Sequence, residues 1–302
     1  MRDVHICEVG PRDGLQNAKH LMPTEAKKRW ISALAAAGID EIEVGSFVPP
    51  KLIPAMADTG EVVAHALTVP GLKVVALAPN RKGFERALAA GAHKVTFPVS
   101  ASLKHSESNV RMTPEQMVEE VRQCVALRPA GGPEIEGGVS TAFGCTLQGE
   151  VPEDDVVRIA VALASFCDSV ALADTVGYAN PAQVKRLFAR VRKEIGAKLD
   201  GAHFHNTRGL GLANALAAWE EGVRAFDSSM GGLGGCPFAP GASGNVITED
   251  LVFMFESMGL RTGIDLEKLF AARRVLVEAI PQEPVYGHTP QAGLPKGFRQ
   301  LA

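Results

Sequence analysis

The sequence predicts a (β/α)8 barrel of the TIM type with a helical extension at its carboxyl end, residues 1–302 forming one catalytic domain. Short runs rich in β-branched residues alternate with longer Ala- and Leu-rich amphipathic stretches, the pattern of βα units around a parallel sheet. Eight such units can be counted, each about one βα repeat long. No Gly-x-Gly-x-x-Gly follows the first strand, so the fingerprint of a doubly wound sheet is missing.

The strand runs fall at 5–9, 41–44, 74–77, 94–97, 135–139, 170–173, 202–205 and 225–228. A helix is predicted over 24–37, where Ala26, Trp30, Leu34 and Ala37 recur at helical spacing and Gly38 supplies the stop. Thr113-Pro114 and Asn180-Pro181 each put a capping residue before a proline at the first helical position, which predicts helices over 114–127 and 181–195. Another helix follows the eighth strand near 246–258, then one over 265–279, then a tail rich in Pro and Gly.

Hydrophobic residues are 46% and charged residues 22% of the chain, the balance of a globular enzyme. A net charge of -3 without a long basic run excludes a phosphate backbone as partner, so the substrate is small. Cys7, Cys124, Cys145, Cys167 and Cys236 are odd in number and form no Cys-x-x-Cys pair, which fits a reducing cytosol better than a disulfide framework. No signal stretch or bilayer-length apolar segment is present, and a cytoplasmic, non-membrane protein is expected.

Barrel enzymes work at the carboxyl ends of their strands. Strand one runs into Gly10-Pro11-Arg12-Asp13-Gly14-Leu15-Gln16, a guanidinium beside a carboxylate in a tight turn. By itself this turn serves equally as a helix cap with a surface arginine. On strand seven His203 and His205 share one face and Phe204 takes the other, so two imidazoles form either a chelate or a structural pair. Strand eight leads into a glycine-dense loop from Gly231 to Asn245, read as a ligand cradle or a flexible surface loop, with Asn245 also placed to cap the next helix. Together Asp13, His203, His205 and Asn245 offer two oxygens and two nitrogens to one point. That mixture suits Mg²⁺ or Mn²⁺, whereas zinc would collect Cys or a third His.

The segments 8–16, 43–47 (Glu43-Val44-Gly45-Ser46-Phe47), 203–205 and 232–237 (Gly232-Leu233-Gly234-Gly235-Cys236-Pro237) resemble 3-hydroxy-3-methylglutaryl-CoA lyase, from about residue 4 to 280. The resemblance implies a TIM barrel, a divalent cation, a homodimer, an acyl-CoA substrate, and acetyl-CoA and acetoacetate as products. It implies metal ligation by Asp13, His203, His205 and Asn245, catalysis by Arg12, Glu43, Asp174 and Cys236, and substrate contacts from Arg12, Gln16 and Ser46. Glu249 also matches a position near that site.

Two stretches depart from the family pattern. Asn206-Thr207-Arg208-Gly209 stands where Asp-Thr-Tyr-Gly is usual, and Ala101-Ser102-Leu103 where Ala-Ser-Glu is usual, in a loop expected to border the substrate. Arg208 and Arg111 either meet a substrate carboxylate or are solvated. The alternatives are therefore a lyase for another 3-hydroxyacyl-CoA (citramalyl-CoA or a longer 3-substituted glutaryl-CoA), a Claisen-condensing acyltransferase of the isopropylmalate synthase kind, and a non-enzymatic metal-stabilised module.

Overall fold

The computed structural model describes residues 2–234 and 244–300. Eight strands, β1 (His5–Glu8), β2 (Glu41–Ser46), β3 (Lys73–Leu77), β4 (Lys94–Ser100), β5 (Glu134–Ser140), β6 (Ser169–Asp174), β7 (Leu199–Phe204) and β8 (Ala225–Ser228), close into one parallel barrel in sequence order. Closure is made by β1 on β8, with Cys7 opposite Asp227 and Glu8 opposite Ser228.

The helices α1 (Thr24–Ala36), α2 (Thr59–Ala66), α3 (Arg81–Ala90), α4 (Leu103–Val110), α5 (Pro114–Ala126), α6 (Glu153–Ala164), α7 (Pro181–Ile195), α8 (Gly211–Glu220) and α9 (Thr248–Ser257) surround the strands, and α10 (Leu266–Ala279) and α11 (His288–Ala292) follow. Outward strand residues are sealed under them. Phe204 packs 6.0 Å from Phe143 and 6.3 Å from Phe188, and Phe226 lies 5.2 Å from Phe255. Each such buried aromatic contributes about 1.5–3 kcal/mol. Gly38 ends the first unit with a φ of +101°, and a Cβ there would lie 2.3 Å from the Gly263 carbonyl oxygen, so the chain ahead of α10 docks only against glycine.

The predicted capping of α5 and α7 is present: Thr113 and Gln116 form a reciprocal capping box, and Asn180 Oδ1 accepts from Gln183 N at 3.0 Å. The stretch after β4, expected as a substrate-bordering loop, instead carries α4. Ser102 starts it by accepting from His105 N at 3.2 Å, and Arg111 ends it at a φ of 59°.

Inside the barrel the order of burial is reversed. Residues facing the helices are fully buried, whereas the inward Cys7, Thr96, Pro98, Gly138, Ser140, Ala173, His203 and Asp227 are only partly so. TIM barrels commonly fill this space with layers of Val, Ile and Leu. Here the lower layer is ionic. Lys94 Nζ lies 2.8 Å from Glu136 and 3.0 Å from Glu41, and Lys73 bridges Glu41 at 3.3 Å and Glu134 at 2.5 Å.

Candidate metal centre and active site

The turn after β1 is a single π-helical turn, Gly10–Gly14, hung from one carbonyl: Val9 O accepts from Arg12 N at 3.1 Å and Asp13 N at 2.7 Å. A Cβ on Gly10 would meet Glu8 Oε1 at 2.4 Å and Trp30 at 2.8 Å, so glycine is needed for the turn to sit on β1. This turn aims Arg12 and Asp13 into the mouth. Arg12 Nε donates to Glu43 Oε2 at 2.5 Å and its Nη1 to Asp13 Oδ1 at 2.6 Å.

The other Asp13 oxygen, Oδ2, accepts from Asn245 Nδ2 at 2.7 Å and lies 3.6 Å from His205 Nε2. Asp13, His203 and His205 each present one ligand atom within 4.8 Å of the others. Asn245 joins them because its segment bridges His205 antiparallel, with Val246 N donating to Phe204 O at 3.0 Å. It does not cap a helix: α9 begins three residues later, at Thr248, without a side-chain cap.

Two buried atoms in this cluster, Asn245 Oδ1 and His205 Nδ1, have no hydrogen-bond partner. An orphaned amide oxygen beside a carboxylate and two imidazoles is the arrangement a divalent cation satisfies, so these donors fit one. His203 Nδ1 is taken by Asp227 Oδ2 at 3.0 Å, which leaves Nε2 as its ligand atom.

The electrostatics follow from burial and these contacts. Burial alone would raise the Asp13 carboxyl, but the Arg12 charge, with help from both histidines, holds it well below the usual carboxylate range. Burial pushes Glu43 up to about 7, Arg12 opposing and Asp227 adding. Burial disfavours the His203 cation, yet the Asp227 hydrogen bond and charge outweigh it and its pKa rises. Arg12 is desolvated, but Glu43 and Asp13 raise its pKa further, so it stays charged.

The remaining predicted residues lie at graded distances from this cluster. Ser46 is fully buried and its Oγ unpartnered, at the end of a strand whose register slips between Glu43 and Gly45. Gln16 is half-buried just past the turn and, among the described residues, makes no hydrogen bond to the cluster. Asp174 spends both oxygens on backbone donors, Tyr178 N at 2.8 Å and Ala179 N at 3.1 Å, and burial raises its pKa against those bonds. Glu249 sits behind the site, accepting from Gly231 N at 3.0 Å and Arg273 at 2.6 Å. Arg208 donates to the Gly177 carbonyl at 2.9 Å and stacks 4.5 Å over Tyr178, which engages it within the protein. Cys236 and the loop segment 235–243 lie outside the described residues.

Sequence reading did not single out Asp227 or Glu8. The pairing of His203 with Asp227 across β7 and β8 arises only when the barrel closes. Glu8 Oε1 accepts from Gly10 N at 2.8 Å and Met230 N at 2.9 Å, and its Oε2 from Thr248 Oγ1 at 2.7 Å, tying the first turn to the eighth unit.

With this geometry in hand, comparison with known proteins is specific. A curated hydroxymethylglutaryl-CoA lyase of Bacillus subtilis is 40% identical over 278 residues, covering 92% of this chain and 93% of the relative. The mitochondrial hydroxymethylglutaryl-CoA lyase of Bos taurus is 39% identical over 280 residues, covering 92% and 86%. The structure of an HMG-CoA lyase from Acinetobacter baumannii, in complex with coenzyme A and 3-methylmalate, superposes with a TM-score of 0.91 at 40% identity over 99% of this chain and 98% of that one. A sequence profile described as HMGL-like matches residues 3–276, and the chain belongs to that family, the hydroxymethylglutaryl-CoA lyases.

Proposed function

We propose that this chain is a divalent-cation-dependent carbon–carbon lyase that cleaves 3-hydroxy-3-methylglutaryl-CoA to acetyl-CoA and acetoacetate. The observation that carries the reading is the convergence of Asp13, His203, His205 and Asn245 beside the permanently charged Arg12. The names of the relatives support the substrate.

A retro-Claisen cleavage removes the proton of the 3-hydroxyl and breaks the C2–C3 bond. The electron pair moves to the thioester side as an enolate, which a proton then converts to acetyl-CoA. A cation held by Asp13, His203, His205 and Asn245, Mg²⁺ or Mn²⁺ by the oxygen-rich donor set, would supply Lewis acidity at the hydroxyl. Arg12, braced by Glu43 and Asp13, faces the charge that develops on the thioester oxygen, and a fixed donor of this kind is worth roughly 3–4 kcal/mol in the transition state. Glu43, at about 7, is tuned to exchange a proton near neutral pH. Asp174, both oxygens engaged, serves as a positioning group behind His205, whose backbone N lies 3.3 Å from Asp174 O. In this reading Cys236 is the proton donor to the enolate, and Gln16 and Ser46 meet the substrate. The reading further includes one catalytic domain, a homodimer, and a place in the cytoplasm.

Purified protein incubated with Mg²⁺ and 3-hydroxy-3-methylglutaryl-CoA should release acetyl-CoA and acetoacetate in equal amounts. Free CoA from acetyl-CoA and a 2-oxo acid would instead identify a condensing acyltransferase. Absence of both reactions in a protein that binds Mn²⁺ would leave a non-enzymatic module.

A further inference from the structure

We infer that Arg273, on helix α10 outside the barrel, is a positioning residue for the metal centre: it fixes the turn that orients Asn245. The inference rests on the cation reading of Asp13, His203, His205 and Asn245 and extends that centre beyond the barrel.

Where Asn245 points is decided largely by one carbonyl. Its Nδ2 donates to Leu233 O at 3.1 Å and to Asp13 Oδ2 at 2.7 Å, which spends both amide protons and fixes the direction of the unpartnered Oδ1. Its backbone N also donates to Leu233 O, at 3.4 Å, and Gly244 N donates to Gly232 O at 3.0 Å. The turn 231–233 is therefore the template on which this ligand is set.

That template does not hold itself. Gly231 and Gly232 have φ of +66° and +65°, two successive left-handed residues that neither a helix nor a strand stabilises. Both polar backbone groups of Gly231 are instead held from outside. Its N donates to Glu249 Oε2 at 3.0 Å, and its O accepts from Tyr286 N at 2.8 Å. Arg273 Nη1 joins these two holders, donating to Glu249 Oε1 at 2.6 Å and to Tyr286 O at 2.7 Å. A Cβ on Gly231 would lie 3.5 Å from that same nitrogen and 3.0 Å from Val285, so the guanidinium is packed on the turn itself.

Charge makes Arg273 the member on which the others depend. Glu249 is fully buried; burial pushes its carboxyl up, and the Arg273 cation is the largest influence against that. Without the cation Glu249 would take up a proton or turn toward water, and either change loosens its hold on Gly231 N. Tyr286 would lose its anchor in the same step. The same terminal segment also reaches the other side of the site, where Glu283 accepts from His20 N at 2.7 Å in the loop that follows the Asp13 turn. The helical extension thus braces the segments on both sides of the metal donors.

The test is a double-mutant cycle in Mn²⁺ affinity, read by spin resonance on metal-stripped protein without substrate, over the wild type, Arg273→Met, Asn245→Ala and the double variant. Arg273→Met should bind Mn²⁺ about tenfold more weakly, the lower end of the range for a group that orients a metal ligand. In the Asn245→Ala background the same substitution should change affinity by less than about twofold, because the residue it positions is gone. Arg273→Lys, which keeps a cation in reach of both oxygens, should recover most of the loss. Affinities are compared only among variants with wild-type circular dichroism. Should Arg273→Met not fold, Arg273→Met with Glu249→Gln, which leaves no buried anion, takes its place in both backgrounds. Wild-type affinity after loss of Arg273, or an equal loss in both backgrounds, overturns the inference and leaves the metal reading intact. No Mn²⁺ binding by the wild type overturns both.

Discussion

Nδ1 of His203 lies 3.0 Å from Oδ2 of Asp227, two side chains 24 positions apart that the register of β7 on β8 sets side by side. The carboxylate holds the proton on Nδ1 and so presents Nε2 to the cluster formed by Asp13 and His205. Asp227→Asn keeps the shape and loses the charge. It should weaken Mn²⁺ binding about 10- to 100-fold, measured by calorimetry or Mn²⁺ spin resonance, while circular dichroism is unchanged. Wild-type affinity in this variant would show that the pair is structural only.

Arg12 reaches Glu43 and Asp13 through separate nitrogens, which a lysine cannot reproduce. Arg12→Lys should lower kcat by about 10²- to 10³-fold with a much smaller change in KM, because the lost interaction belongs to the transition state. A rise in KM at constant kcat would instead assign Arg12 to ground-state binding.

Burial pushes the carboxyl of Glu8 up to about 8, against the hydrogen bonds it accepts from Thr248, Met230 and Gly10. Its folded pKa is above its unfolded value of 4.5, so the stability it contributes is fully present below pH 4.5 and is lost as pH rises through about 8. Melting temperatures of the wild type and Glu8→Gln, measured from pH 5 to 8.5, should therefore change in their difference, the wild type losing ground toward the alkaline end. A difference constant across that window would place Glu8 at an ordinary pKa.

Lys94 holds two carboxylates, Glu41 and Glu136, in the lower barrel. Lys94→Met would leave both without their cation, and loss of one partner of a buried pair costs about 3–5 kcal/mol. Urea unfolding should show a reduced midpoint, and Lys94→Met with Glu136→Gln should recover part of the loss. Equal stability of the single variant and the wild type would mean that water already screens this layer.

Most elements were legible from periodicity and punctuation. The eight strands lie where the β-branched runs are, and α5 and α7 begin at the prolines that predicted them. The helix α4 was not legible, because Leu103-Lys104-His105-Ser106 has little apolar periodicity and is started chiefly by the Ser102 hydroxyl. His203 and His205 were visible as a pair because strand alternation is local, and Asp13 was visible in its tight turn. Asp227 was not, since only barrel closure sets it beside His203. Gly137 and Gly138 read alike in sequence, and only the fold shows that a Cβ at Gly137 would crowd Leu163 at 3.0 Å whereas one at Gly138 would make ordinary contacts at 3.6 and 3.8 Å.

The central claim is that Asp13, His203, His205 and Asn245 bind one divalent cation on which turnover depends. Metal-stripped protein titrated with Mn²⁺, followed by spin resonance and by acetyl-CoA release from 3-hydroxy-3-methylglutaryl-CoA in the same samples, tests it directly. The account predicts one bound Mn²⁺ per chain with activity rising in proportion to occupancy, and loss of both signals in a folded His205→Ala variant. Full activity in the stripped protein, or unaltered Mn²⁺ binding in His205→Ala, would contradict it.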